Sequence, residues 1–248
     1  MRRIVGSLIG LLLTVSLAPG LDTEAEAIVK RAIDAAGGAE ALKKFPAARL
    51  TATGTLLRDE NNQVPVTAEQ VVHVPGRSRI TMKLEPMGQK LEVLNIVNGT
   101  KARYVINGSP VPITDAARDE LIAAMTTLEI GQLLPLLSDR KFILKVEKSP
   151  RGEGDTVSVL VHTKNHGDYR LGFDRTTGHL VRLTRKAYDA TTGKLVDQEQ
   201  LFTDFKLFEN IARPTKVVVL QDGKKIMELA IDKYTPLASV EAKEFSIE

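Results

Sequence analysis

The chain has 248 residues, with 34 Lys and Arg against 31 Asp and Glu for a formal net charge of +3, and its complement of Cys and Trp is zero. Disulfide staples, thiolate metal ligands, a cysteine nucleophile and a lipid-bearing cysteine are therefore excluded. Seven Phe and four Tyr are too few for the stacking platforms of a single-strand nucleic-acid binder, so no nucleic-acid partner is expected.

Residues 1–20 read as an export signal. Arg2 and Arg3 give the positive start, Ile4 to Leu17 is an apolar run broken only by Gly, Ser and Thr, and Ala18-Pro19-Gly20 offers small residues for cleavage. The run falls short of the about 20 apolar residues that span a bilayer. Retention as an anchor is the alternative. Cleavage would remove two Arg and no acid, lowering the net charge to +1, and leave a single domain over residues 21–248.

Thr23 to Ala36 places Ala25, Ile28, Val29, Ala32, Ile33 and Ala36 at helical spacing, with Asp22 or Thr23 as cap and Gly37-Gly38 as stop. A short helical piece follows at Ala39 to Lys44. After Pro46 the period changes to two, predicting strands over 48–57, 64–74, 78–84, 90–97 and 102–106. Connections this short require antiparallel pairing, because a parallel crossover needs about a dozen residues or more. Thr114 or Asp115 then caps an apolar helical stretch to Leu137, which Gly131 and Pro135 should break.

The β pattern resumes over 141–147, 156–163, 169–174, 179–188, 195–208, 211–221 and 224–234. Turn signals stand at Asn165-His166-Gly167, Thr177-Gly178, Thr192-Gly193 and Asp222-Gly223. Roughly a dozen strands are more than a flat sheet carries easily, so the sheet should curl or close. The fold class is α+β, mainly antiparallel β. A faint two-part symmetry has no period clean enough to be a repeat.

Catalytic constellations are sparse. His162 and His166 flank a turn, with Asp168 the only near candidate for a third metal ligand, and a solvated hairpin explains them as well. His73 and His179 fall at strand ends. No nucleophile elbow, zinc helix motif or phosphate-cradling Gly loop is present, so no catalytic residue, metal or cofactor can be named. Arg185 shares parity with Val181, Leu183 and Ala187; it either reaches the rim or serves as a polar anchor inside the sheet's curl.

The broken apolar segment is the better functional clue. A helix buried all round would also be apolar. A curled sheet of this size, however, encloses more volume than its own side chains readily fill, so a helical plug or a ligand must complete the interior. Leu121, Met125, Leu128, Leu133 and Leu134 are the expected cover. Val157, Val159, Met227 and Leu229 are the expected floor.

The order of elements resembles the LolA/LolB family of periplasmic lipoprotein carriers. The residues carrying the likeness are "AIDAAGGAEALKKF" over 32–45, "TATGTL" over 51–56, Val74-Pro75-Gly76-Arg77-Ser78-Arg79-Ile80, Ile96-Val97-Asn98-Gly99-Thr100-Lys101 followed by Tyr104, and the tail Ser239 to Ile247. The resemblance implies an incomplete, half-closed antiparallel β barrel with helices packed as a lid. It also implies a latch from a basic residue near the third strand's opening, for which Arg77 and Arg79 are the candidates. Departures are the missing Arg-Pro pair, Asn98-Gly99-Thr100 in place of the commoner Asp-Gly-Lys, and the missing Trp; these bear on the cargo more than on the fold. The implied function is a soluble, monomeric periplasmic carrier of lipoprotein or lipid acyl chains, loaded by an inner-membrane donor and emptied by an outer-membrane acceptor. The alternative is an envelope lipid- or protein-sensing module on the same fold.

Overall fold

Residues 22–59, 62–148 and 154–247 are described by a computed structural model. The expected export signal lies outside them.

Two meanders make one sheet. The first is β1 (Ala47–Asp59), β2 (Asn62–His73), β3 (Arg77–Leu84), β4 (Leu91–Asn98), β5 (Lys101–Ile106) and the two-residue β6 (Ser109–Pro110). The second is β7 (Phe142–Glu147), β8 (Thr156–Thr163), β9 (Gly167–Asp174), β10 (Leu180–Asp189), β11 (Lys194–Phe208), β12 (Ile211–Gln221) and β13 (Lys224–Leu237). The spatial order is β6-β5-β4-β3-β2-β1-β13-β12-β11-β10-β9-β8-β7, antiparallel at every joint, so the meanders fuse where β1 pairs β13 and the sheet ends at β6 and β7 without closing. Tight turns permit this. At Asn107-Gly108 and Asp222-Gly223 both residues have positive φ, the geometry whose twist matches paired strands.

The seam is tightly drawn. Its register shifts between Thr51 and Ala52, and a Cβ on Gly54 would stand 2.0 Å from the Glu228 carbonyl oxygen. Only a residue without a Cβ fits there.

The helices lie on one face. α1 (Thr23–Ala35) is capped by Asp22, whose carboxylate accepts from Glu24 N at 3.2 Å and Ala25 N at 3.1 Å. The same carboxylate accepts from Val146 N at 2.9 Å, which ties the helix to β7, and these bonds hold its pKa below the usual value. α2 (Ala39–Lys44) follows Gly37-Gly38 as expected. The apolar segment after β6 is two helices, α3 (Asp115–Gly131) and α4 (Leu134–Ser138), with Thr114 as the α3 cap. The break falls two residues beyond Gly131, at Leu133, which adopts φ +65°. Its ψ is −46° and Leu134 N donates to the Gln132 carbonyl at 2.8 Å across it, a γ-turn whose strain costs about 1 to 3 kcal/mol. Burial of its side chain, 3 % exposed, contributes about 2 kcal/mol in return.

The main core joins Ala25, Val29, Ile33, Leu133 and Leu136 of the helices to Val159, Val161, Tyr169, Leu171 and Leu183 of the second meander. A smaller cluster sets Met125 of α3 on Ala48, Val72 and Val97 of the first. One helix touches β4, β5 and β10 together, which a flat sheet would not allow. The sheet is therefore curled around α3. On its outer face the tail past β13 lays Phe245, fully buried, on Val71 and Ile96.

Candidate functional site

Strand alternation decides which side chains face α3. Residues directly opposite in an antiparallel pair share a face, as do residues two apart. Ala48, Val72, Ser78, Val97 and Ala102 form one cross-strand row, and Met125 packs on it. From that row the concave face continues through Leu50, Leu56, Ile80, Met82 and Tyr104 in the first meander, and through Val217, Val219, Met227, Leu229 and Ile231 across the seam.

The concavity has two unlike halves. In the second meander Val159, Tyr169 and Leu171 are fully buried beneath the helices, so that half is filled by the protein's own side chains. Around the seam Leu50, Leu56, Ile80, Met82, Val217, Val219, Met227 and Leu229 are only half-buried. An apolar strip is thereby left beside α3. A separate cleft of about 250 Å³ opens at the junction of α3 and α4, lined by Leu42, Val74, Gln132, Leu134 and Pro135 among others.

Polar bonds from the sheet hold α3 at both ends. Near its start, Glu120 takes both terminal nitrogens of Arg185 (Nη1 to Oε2, 3.1 Å) and the Tyr188 backbone N–H (2.8 Å). In mid-helix the Tyr169 hydroxyl donates to the Ala123 carbonyl at 3.2 Å, and burial pushes the phenol's pKa up to about 12. Beyond its end, Arg213 Nη2 donates to Gln132 Oε1 at 2.6 Å, Nε to the Tyr234 hydroxyl at 3.2 Å, and the guanidinium stands over the Tyr234 ring. Buried Glu129 also accepts from Lys141 Nζ at 2.7 Å. These ties act on a single rod.

The residues expected from the sequence separate accordingly. Leu121, Met125 and Leu128 line the face of α3 on the first meander. Leu133 is packed in the main core, Leu134 lies against it, and Val159 belongs to the same core with Val157 at its margin. Met227 and Leu229 stand on the half-buried strip.

Arg77 and Arg79 take the opposite parity, that of Val71 and Ile96, on the outer face. Arg77 reaches His73 and stacks over the Phe245 ring at 5.6 Å, so it serves the tail and not α3. The cation that reaches the first half of the helix is Arg185, 6 % exposed, one of the two placements open to it from parity alone. Arg213 carried no sequence signal, since its partners Gln132 and Tyr234 are distant in the chain.

His162 Nδ1 lies 2.7 Å from the accepting Asp168 Oδ1 in an exposed hairpin. Among the described residues, no group of three His, Cys, Asp or Glu side chains is placed to hold a metal ion. No helix among them is long and apolar enough to cross a membrane.

No family model and no curated relative matches the chain. Solved structures do. A LolA superfamily protein from Nitrosomonas europaea superposes with a TM-score of 0.56 at 10 % identity, over 90 % of this chain and 97 % of that one. A DUF1329 family protein from Desulfovibrio piger gives 0.55 at 9 % identity, over 90 % and 97 %. A provisionally named outer membrane lipoprotein-sorting protein domain from Vibrio parahaemolyticus gives 0.51 at 12 % identity, over 89 % and 97 %. The unclosed antiparallel sheet with helices in its concavity is thus the LolA-like fold, in a divergent sequence.

Proposed function

We propose that the protein is an exported, monomeric carrier that holds the acyl chains of a lipoprotein or lipid against the concave face and passes them from an inner-membrane donor to an outer-membrane acceptor across the periplasm. The observation that carries this reading is the half-buried apolar strip around the β1–β13 seam, running on from residues that α3 does cover. An acyl chain laid there gains about 0.8 kcal/mol for each methylene taken out of water. Leu121, Met125 and Leu128 would be the moving cover, exchanging contact with Val72 and Val97 for contact with the cargo, while Leu133 and Leu134 hold the far end in the core. Met227 and Leu229 would be the floor. Val157 and Val159 would support it from beneath the helices. Arg185 takes the latch role in place of Arg77 and Arg79.

The reading is tested by native mass spectrometry of protein taken from its own envelope, together with binding of the neutral fluorescent hydrocarbon diphenylhexatriene. An acyl-bearing species in the spectrum and saturable fluorescence displaced by it are expected. Empty protein and no saturable fluorescence would overturn carriage.

A further inference from the structure

The concave face of the first meander carries no charge. Over Ala48–Leu56, Val64–Val72, Ser78–Leu84, Leu91–Val97 and Ala102–Ile106, the charged residues, Arg49, Glu69, Arg79, Lys83, Glu92 and Arg103 among them, all take the outer parity. Two amides interrupt the apolar wall. Gln70 and Asn95 lie in one cross-strand row, Leu50, Gln70, Ile80, Asn95 and Tyr104. Gln70 Nε2 and Asn95 Oδ1 are closed off from solvent and have no hydrogen-bond partner. Buried polar atoms almost always find one, so an orphaned pair on the wall of a binding face calls for a partner from outside the chain.

The geometry suits a small polar group. Ile80 lies between the two amides, which stand two strand spacings apart, about 9.5 Å at the backbone. A group seated over Ile80 bridges them. Its chemistry is bounded on three sides. A carboxylate or phosphate would meet no cation from the first meander, and Arg213, over Tyr234 across the seam, is already bonded to Gln132 and Tyr234; burying an unpaired charge is heavily disfavoured. An ester offers acceptors but no donor. A secondary amide offers one of each, and turning both side chains over together preserves the match with the ligand amide reversed.

We propose that Gln70 and Asn95 form a polar band that receives the uncharged secondary amide joining an acyl chain to the rest of its carrier molecule, the amide carbonyl accepting from Gln70 and its N–H donating to Asn95. This rests on the carrier reading above and names the linkage that the same face selects.

The test is displacement of diphenylhexatriene from the purified protein by four ligands of similar chain length: N-methyldodecanamide, methyl dodecanoate, sodium dodecanoate and tridecane. The amide should displace the dye at the lowest concentration and dodecanoate at the highest. Gln70→Leu and Asn95→Leu should each weaken the amide about tenfold, as loss of one hydrogen bond in a dry site does, and leave tridecane within about twofold. Equal displacement by all four, unaltered in both variants, would sink the polar band while leaving carriage standing, and would mean that a bridging water alone satisfies the pair. Absence of dye binding by the wild type would sink carriage and the band together. Should a variant not fold, the infrared band of N-methyldodecanamide labelled with ¹³C at its carbonyl decides on the wild type. A bound band lying below that of the same amide dilute in hexane supports the hydrogen bond, and a bound band at the hexane position, marking a carbonyl buried without a donor, refutes it.

Discussion

Glu120 of α3 and Arg185 of β10 meet in a two-pronged ion pair inside the sheet's curl, with the Arg185 side chain 4 % exposed and the Glu120 side chain 20 %. Removing one member of a buried pair leaves the other charged and unmatched, which costs about 3 kcal/mol or more. Glu120→Ala should therefore lower the urea midpoint strongly. Replacing both, as Glu120→Leu with Arg185→Leu, should come within about 1 kcal/mol of the wild type, because two charges no longer need to be stripped of water. Amide exchange in α3 separates a loosened helix from a weakened sheet: Glu120→Ala should speed exchange in α3 well ahead of β8 and β9.

Tyr169 gives a pH signature. Burial raises its folded pKa from 10 to about 12, so the neutral phenol is favoured by the fold. Stability from this group is fully present below pH 10 and is lost as pH rises through about 12. Tyrosinate absorbance should show a late step near pH 12 that disappears in Tyr169→Phe. The same variant, having lost the bond to Ala123, should be less stable by about 1 kcal/mol at neutral pH.

Phe245 tests whether the outer face is separate from the binding face. Its ring is sealed between Val71, Ile96 and the Arg77 guanidinium, and Asn98 Nδ2 donates to its carbonyl at 3.2 Å. Phe245→Ala should cost about 3 to 4 kcal/mol in thermal or urea unfolding. Dye affinity, measured where the variant is folded, should not change.

Leu229 tests the strip itself. It is half-buried on the concave side of the seam, beside Gly54 and Val217. Leu229→Asp would put an unpaired carboxylate where an acyl chain is proposed to lie, and dye affinity should fall at least about tenfold with far-UV circular dichroism unchanged. Unaltered affinity would remove the seam from the site.

Gly54 tests the curl. A Cβ there would run into the Glu228 carbonyl, which is backbone and has little room to yield. Gly54→Ala should destabilise by about 2 to 3 kcal/mol, read as a drop in melting temperature.

Periodicity made most of the sheet legible. Alternation such as Val157, Val159 and Val161 marks a strand wherever one face is dry, and turn pairs such as Asp222-Gly223 fix where it reverses. β6 escaped because two residues carry no period. The break in the apolar segment was foreseen from Gly131 and Pro135, yet it fell on Leu133, since only packing against the main core could make a leucine at the centre of a strained γ-turn tolerable. The apolar stripes proposed as cover and seam floor can be read from the sequence. The cation paired with Glu120 cannot, because parity says which face a side chain takes and never which helix will arrive there. Parity set Arg185 apart in the sequence, yet only the fold sends Arg77 to the tail and Arg185 to Glu120. Gln70 and Asn95 were equally silent, each an ordinary polar residue until strand register set them in one row.

The joining of β1 to β13 has a consequence for how the molecule is made. Contacts between neighbours in each meander are local and can form early, but the middle of the sheet is closed by the residues farthest apart in the chain, and such pairings form slowly. A polypeptide threaded through a membrane from its amino end would hold β1 with one edge bare until β13 arrived. Over that interval the apolar row beginning at Ala48 would be open to any sticky neighbour, and a companion that shelters nascent strands would find its use there.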